Sequence, residues 1–213
     1  MIRGQKGFTI VELLIATAIL SFILLLVSGI MSNIGAEYFK GINQATTQSD
    51  ARSISEQITQ DVQLSETTPS GGGSVTIPHT SMLAKVLCIG NIRYTYIVNQ
   101  KIGTNGYQHI LWRDIPNNCD TSIPAYLNDL DPSNPGHPYS SGDGSELIAS
   151  NSSLTALNLN VQPNGLYILE VGVAYGDINL LDTSISPPGC IGGSGFQYCA
   201  TSDIKTVIVR RLK

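Results

Sequence analysis

A continuous apolar run near the start of the chain has the length of a membrane-spanning helix. The run from Leu13 to Met31 carries no charged residue, and when it is extended back to Phe8 it contains one, Glu12. A helix over residues 8–31 would rise by about 36 Å, which is enough to cross the hydrocarbon core of a bilayer. A carboxylate inside such a segment is costly, so its presence indicates a function.

The helical pattern continues beyond the apolar run. No proline occurs between Ser32 and Glu66, and apolar residues recur at helical spacing. The stripe consists of Ile34, Tyr38 and Ile42, followed by Ala51, Ile54, Ile58 and Val62. One helix from Phe8 to near Glu66, about 88 Å long, is therefore predicted, ended by "TTPSGGGS". Two helices joined near Gly41 are the alternative.

The remainder of the chain has the pattern of a β-rich domain. Stretches rich in β-branched and aromatic residues, separated by turn signals, predict strands over residues 85–100, 107–115, 154–161, 166–176 and 203–212. The expected fold class is α+β, with the second half of the helix packed on a mainly antiparallel sheet. The expected divisions are a leader (1–7), a membrane-spanning helix (8–31), its amphipathic continuation (32–66) and a β-rich head (67–213).

Charge and composition place the head outside the cytoplasm and disfavour nucleic acid as a partner. Charged residues make up 13% of the chain, and the net charge is −4. It would become −6 if a leader containing Arg3 and Lys6 were removed, and an acidic chain repels phosphate backbones. The next basic residue after Lys6 is Lys40. The positive-inside rule therefore predicts a single-pass protein with its N-terminus in the cytoplasm.

The segment before the apolar run does not have the layout of an ordinary secretory signal. No A-x-A-type cleavage site follows the run, and the small residue, Gly7, precedes it. "KGFTIVELLIATAIL" resembles the class III signal of type IV pilins and of the pseudopilins of type II secretion. The resemblance implies cleavage by a prepilin peptidase between Gly7 and Phe8, and methylation of the new N-terminal amine of Phe8. It makes Glu12 the fifth residue of the mature chain.

The same resemblance implies a role for Glu12 in assembly. In a filament of such subunits, the Glu12 carboxylate would pair with the Phe8 amine of a neighbour inside the apolar core. The expected partners are other pilin-like subunits, the prepilin peptidase and an assembly platform in the cytoplasmic membrane. The alternative for Glu12 is an ordinary acid at the end of a helix, with its charge at the membrane interface.

A looser resemblance concerns the kind of subunit. "SISEQITQDVQLSE", with Arg52, Ile58, Asp61 and Val62, is similar to a helix end of minor pilins of the W type and of pseudopilin J. It implies a minor subunit that primes or caps a filament. A major pilin is the alternative within the family. Outside it, the alternative is a membrane protein with an exported binding or adhesive domain that never polymerises.

The four cysteines, Cys88, Cys119, Cys190 and Cys199, predict two disulfides in an oxidising compartment. Three pairings are open. The short Gly-rich loop "CIGGSGFQYC" favours Cys190 with Cys199, which leaves Cys88 with Cys119 across a hairpin. Four reduced thiols in a core are the alternative.

The sequence predicts neither catalysis nor a resident cofactor. The histidines stand apart, and the common nucleophile, metalloprotease and phosphate-binding motifs are missing from the sequence. The acidic loop between Pro116 and Ser153 offers weak calcium candidates, Asp129, Asp131 and Asp143, without the spacing of an EF-hand.

Overall fold

A computed structural model describes residues 7–76, 83–102, 109–122, 144–163, 165–192 and 195–211. Over these ranges the chain is α+β, as the sequence predicts. One helix, α1 (Ile10–Leu64), runs without interruption through Gly41, so the alternative of two helices joined there is wrong. Antiparallel sheets follow the helix.

Helix α1 has clear signals at both ends. Thr9 is its N-cap, with an extended backbone, and Glu12 stands at the third helical position. At the other end Ser65 is again extended, and its N–H donates to the carbonyl oxygen of Asp61 at 3.0 Å. Pro69 and three glycines follow within the next few residues, which explains why the helix cannot continue.

The described residues form three antiparallel sheets rather than the one sheet that the sequence predicts. Sheet A has five strands in the order β1-β2-β3-β4-β5, sheet B has the order β10-β7-β6, and β8 pairs with β9. The strands are β1 (Ser70–Thr76), β2 (Leu83–Ile89), β3 (Ile92–Tyr96), β4 (Leu111–Asp114), β5 (Ser145–Glu146), β6 (Ser152–Val161), β7 (Leu166–Tyr175), β8 (Leu181–Asp182), β9 (Gly189–Cys190) and β10 (Ala200–Val209).

The stretch 85–100, expected to be one strand, is a hairpin of β2 and β3. Gly90 and Asn91 form its two-residue turn, and Ile89 pairs with Ile92 across it. Gly90 has φ +62°, a left-handed conformation that glycine adopts without strain. The stretches before and after the turn both have a strand pattern, so together they predict one continuous strand. The turn between them depends on a single glycine.

The second half of α1 forms one side of the hydrophobic core. Ala51, Ile54, Ile58 and Val62 are buried against side chains from sheets A and B. The first part of the predicted stripe is not buried: Ile34, Tyr38 and Ile42 are exposed. The head therefore covers only part of the apolar face that the sequence predicts.

Sheet B fixes the direction of the head along the helix. Strand β10 runs beside α1 in the same direction: the Gln44 side chain donates to the Thr201 carbonyl at 3.2 Å. Near the other end, the Arg211 N–H donates to the Gln63 carbonyl at 3.4 Å. The β7-to-β10 connection thus lies at the end of the head nearer the apolar run, and the β6–β7 hairpin lies at the far end.

Candidate functional site

The expected cleavage site lies before the first turn of α1. Gly7 and Phe8 precede the helix and are exposed, with 80% of Phe8 accessible to solvent. Apart from its chain neighbours, no described residue has an atom within 4 Å of a Cβ added at Gly7. Packing within the described structure therefore gives no reason for a glycine at this position.

Thr9 and Glu12 form a reciprocal capping box at the start of the helix. The Glu12 N–H donates to the Thr9 hydroxyl at 3.3 Å, and the Thr9 N–H donates to Glu12 Oε2 at 3.2 Å. These bonds satisfy backbone donors that the first turn leaves without partners. The positive end of the helix dipole further stabilises a carboxylate at this position.

The capping box occupies only one oxygen of the Glu12 carboxylate. The Thr9 hydroxyl also donates to Oε2, at 3.2 Å. Within the described part of the chain, Oε1 has no hydrogen-bond partner. The local structure therefore orients the carboxylate through Oε2 and leaves Oε1 exposed.

A long apolar surface follows Glu12. Every residue from Phe8 to Met31 is exposed in the isolated chain. Helix α1 is the one helix of the described residues that is long and apolar enough to cross a membrane, and none of its most apolar window is buried. This surface needs an apolar environment, supplied by a bilayer or by other helices.

A second carboxylate of α1, Asp61, has an opposite environment. Asp61 is buried, and the Arg113 side chain donates to both of its oxygens, through Nε at 2.9 Å and Nη2 at 3.2 Å. The Tyr94 hydroxyl also donates to Oδ2. Tyr94 on β3 and Arg113 on β4 are register partners. Asp61 thereby joins the end of α1 to sheet A.

The pKa shifts in this cluster have clear physical causes. Burial raises the pKa of Tyr94, and the neighbouring Asp61 charge raises it further. The hydrogen bonds to Asp61 raise the pKa of Arg113. Both shifts favour the state seen here, a neutral phenol and a guanidinium sharing one carboxylate.

Sequence reasoning noted Asp61 only through a loose resemblance and gave no role to its partners. The available signal was charge within otherwise apolar strands, in "IRYTY" and "LWRD". Arg93 and Asp114 are the adjacent register pair and form a salt bridge, with the Arg93 side chain only 2% exposed. Buried charges require partners, so each arginine could have indicated a counter-ion elsewhere in the fold. For Arg93 it is Asp114 on the neighbouring strand, and for Arg113 it is Asp61 on α1.

The two disulfides are those that the sequence favours. Cys88 is bonded to Cys119, which attaches the segment after β4 to β2. Cys190 is bonded to Cys199 and closes the loop before β10. All four cysteines are therefore oxidised, and the alternative of reduced core thiols is wrong.

The calcium candidates Asp129, Asp131 and Asp143 lie outside the described residues. Within the described ranges, no group of three or more histidine, cysteine, aspartate or glutamate side chains is arranged to hold a metal ion. The expected absence of a resident metal and the weak calcium candidates both stay untested predictions.

Comparison with known families identifies the N-terminal segment. Residues 2–28 match the family model of the prokaryotic N-terminal methylation motif. No curated protein and no solved structure matches the chain significantly. The matched range contains Gly7, Phe8 and Glu12, so it supports processing by a prepilin peptidase and association with pilin-like subunits. The chain therefore carries, at its N-terminus, the prepilin signature shared by type IV pilins and pseudopilins.

Proposed function

We propose that this protein is a subunit of a type IV pilus-like filament, a minor pilin or pseudopilin assembled through helix α1. The observation that carries the proposal is the environment of Glu12. Its carboxylate lies within the matched methylation motif, stands at the head of an uncovered apolar helix and is held in place by Thr9.

Cleavage after Gly7 would provide the missing partner for Glu12. Removal of the leader places a cationic amine on Phe8, one residue before the helix cap. In a helical assembly that amine can reach Oε1 of Glu12 on a neighbouring subunit, in a space lined by the apolar residues of both helices. Because an unpaired charge is expensive there, the pair favours subunits that carry the glutamate.

The exposure of Gly7 and Phe8 supports processing at this bond. The backbone from Gly7 to Thr9 lies outside the helix, and a peptidase needs an extended, accessible segment. Since none of the described residues packs against Gly7, we infer that the enzyme's own binding site, rather than this fold, requires the glycine.

The head is proposed to lie outside the cytoplasm, with the N-terminus inside before processing. Two disulfides fit an oxidising periplasmic or extracellular compartment. The proposed partners are other pilin-like subunits and a membrane assembly platform. We propose that the protein is not an enzyme and that it has no resident cofactor.

Processing is tested by mass spectrometry of the chain made in a host with prepilin peptidase. We expect a mature chain that begins with N-methylated Phe8. Gly7→Val should retain Met1, whereas Gly29→Val, at another open glycine of the same segment, should be processed normally. An intact Met1 in the wild-type chain would favour the non-polymerising membrane protein instead.

Assembly is tested by the fraction of the chain found in sheared filaments. Glu12→Gln keeps the shape of the side chain and removes its charge, and we expect at least about tenfold less incorporation, equivalent to one lost charge-assisted bond. The matched control is Glu37→Gln, the next carboxylate along α1, which is exposed. Equal incorporation of both variants would contradict the proposed role of Glu12.

The same filaments separate a minor from a major subunit. A minor pilin or pseudopilin should be a small fraction of the total protein in sheared filaments, and its loss should reduce the number of filaments. If this chain is the main component, it is the major pilin.

A further inference from the structure

Three aromatic rings lie together where the head meets the uncovered part of α1. Tyr38 and Phe39 are on the helix, with ring centroids 6.2 Å apart, and Tyr198 of the head lies 6.4 Å from Phe39. They are exposed by 66%, 51% and 53%. We refer to these three side chains as the aromatic patch.

The head holds Tyr198 in this position by several contacts. The Asn43 side chain donates to the Gln197 carbonyl at 3.1 Å, and the Cys190–Cys199 disulfide closes the loop on the other side. Gly176 has φ +108°, and a Cβ there would lie 2.2 Å from the Tyr198 carbonyl oxygen. The loop thus approaches strand β7 closely, and its placement is built into the fold.

The distance along α1 places the aromatic patch at a definite depth. From Ile10 to Tyr38 the helix rises by about 42 Å, against about 40–45 Å for a bilayer that includes both headgroup layers. An ordinary tilt of about 20° shortens the rise only to about 39 Å. When the start of α1 lies at the inner interface, Tyr38 and Phe39 therefore reach the outer headgroup layer.

The composition of the patch fits that layer. Tyrosine has an apolar ring and a polar hydroxyl, and it is enriched where hydrocarbon meets water. Exposed Ile34 lies one turn below Tyr38, on the side of the hydrocarbon. The charges near the patch in sequence are mixed: Glu37 and Lys40 flank the two helix rings, and Asp177 and Asp182 belong to the β7-to-β10 connection that carries Tyr198. Such a mixture gives no general attraction to anionic lipid.

We propose that the aromatic patch contacts the outer headgroup layer of the bilayer, and so holds the head against the membrane surface, before the subunit is assembled. This proposal rests on the membrane-spanning role of α1 in the proposed function. The contact fixes the height of the head, and therefore the depth at which Glu12 and the Phe8 amine lie. Entry into a filament would require the patch to leave the lipid.

The test is depth-dependent fluorescence quenching of the full chain in phosphatidylcholine vesicles. The chain has one tryptophan, Trp112, which is buried, so single probes are introduced in a Trp112→Phe background. Tyr38→Trp and Tyr198→Trp report on the patch, and Phe22→Trp reports on the membrane span. Val161→Trp is exposed at the far end of the head and serves as the control.

We expect both patch probes to be quenched at least about twofold more by a nitroxide on the lipid headgroup than by one at mid-chain. Phe22→Trp should show the reverse order. Val161→Trp should be quenched by neither, because the head extends by about 28 Å between the levels of Gln44 and Gln63. The patch probes should behave alike with and without added anionic lipid.

The possible quenching results distinguish failure of the headgroup contact from failure of the membrane-spanning role of α1. If Phe22→Trp is not quenched at mid-chain, the membrane span itself is refuted. If Phe22→Trp is quenched but the patch probes are not, or only with anionic lipid, the headgroup contact is refuted. Protection of the patch probes that grows with the protein-to-lipid ratio would assign the patch to a second subunit. The same substitutions in the Trp112-containing chain repeat the test if Trp112→Phe disturbs folding.

Discussion

The two halves of helix α1 share one pattern of apolar residues but have opposite environments. Ile34 is 62% exposed, whereas Ile58, on the same predicted stripe, is fully buried. Their carboxylates differ in the same way. Among the described residues, Glu12 is hydrogen-bonded to Thr9 alone, whereas Asp61 is hydrogen-bonded to Tyr94 and Arg113 of sheet A.

The difference shows that helical periodicity predicts that a face will be covered, but not what covers it. From Ala51 onward, the apolar face of α1 is covered by the head of the same chain. The first half is exposed from Phe8 to Met31, and under the proposed function lipid would cover it before assembly and other subunits would cover it afterwards. The Asp61 carboxylate therefore has fixed partners within its own chain, whereas Oε1 of the Glu12 carboxylate has none among the described residues.

The largest effect is expected at Asp61. Asp61→Ala leaves the partly buried Arg113 guanidinium and the buried Tyr94 hydroxyl without their shared acceptor, and the two losses together should lower the free energy of unfolding by about 3–5 kcal/mol. Denaturant unfolding of the full chain in detergent, followed by Trp112 fluorescence, measures this. Glu56→Ala, at an exposed site on the same helix, should change it by less than about 0.5 kcal/mol. Similar values for both variants would mean that the cluster adds no stability.

The stripe itself gives the most direct comparison of the two halves. Ile58→Ala should destabilise the head by about 2–5 kcal/mol, because it opens a cavity in the core. Ile34→Ala removes the same atoms from an exposed position and should change head stability by less than about 0.5 kcal/mol. The same unfolding measurement applies. An equal loss for Ile34→Ala would show that the head or another chain covers this residue in solution.

The disulfides should stabilise the head to different degrees. The loop-entropy relation gives about 3.7 kcal/mol for Cys88–Cys119 and about 2.6 kcal/mol for Cys190–Cys199, because the first closes a longer loop. The sequence separations are 31 and 9. Paired serine substitutions, followed by the unfolding of the head, check this order. The reverse order would mean that the shorter loop is more strongly coupled to the core than its length predicts.

The smallest effect separates the two uses of Glu12. Thr9→Ala removes the hydroxyl of the capping box, should cost about 1 kcal/mol in the first turn, and leaves the Glu12 charge in place. We expect it to reduce filament incorporation less than Glu12→Gln does. Sheared-filament abundance of the two variants decides between them. If Thr9→Ala reduces incorporation as much as Glu12→Gln, capping of the helix, not pairing with an amine, is the main role of Glu12.

Much of the fold could be predicted because its signals are local. The helix is specified by the absence of proline and by the spacing of apolar residues, and four of the five expected strand regions coincide with strands β4, β6, β7 and β10. The fifth was divided by Gly90. The grouping of strands into separate sheets could not be predicted, because it depends on contacts between residues far apart in the chain.

The candidate site was predicted in part for the same reason. Gly7, Phe8 and Glu12 lie within one short motif, so their relation is visible in the sequence. The Asp61 cluster joins a helix to two strands, and Asp61 and Arg113 are separated by 52 positions in the sequence. No local pattern pairs such distant charges, although each buried charge predicts that some partner exists.

The sequence by itself determined the identity of the N-terminal segment, the presence of one long helix and the favoured cysteine pairing. Each of these depends on residues close together in the chain or on the length of an apolar run. Only the tertiary structure decided where along α1 the head begins to cover the helix. It alone brought Tyr198 to Phe39, because packing energy depends on which surfaces meet, and that is set by the whole fold.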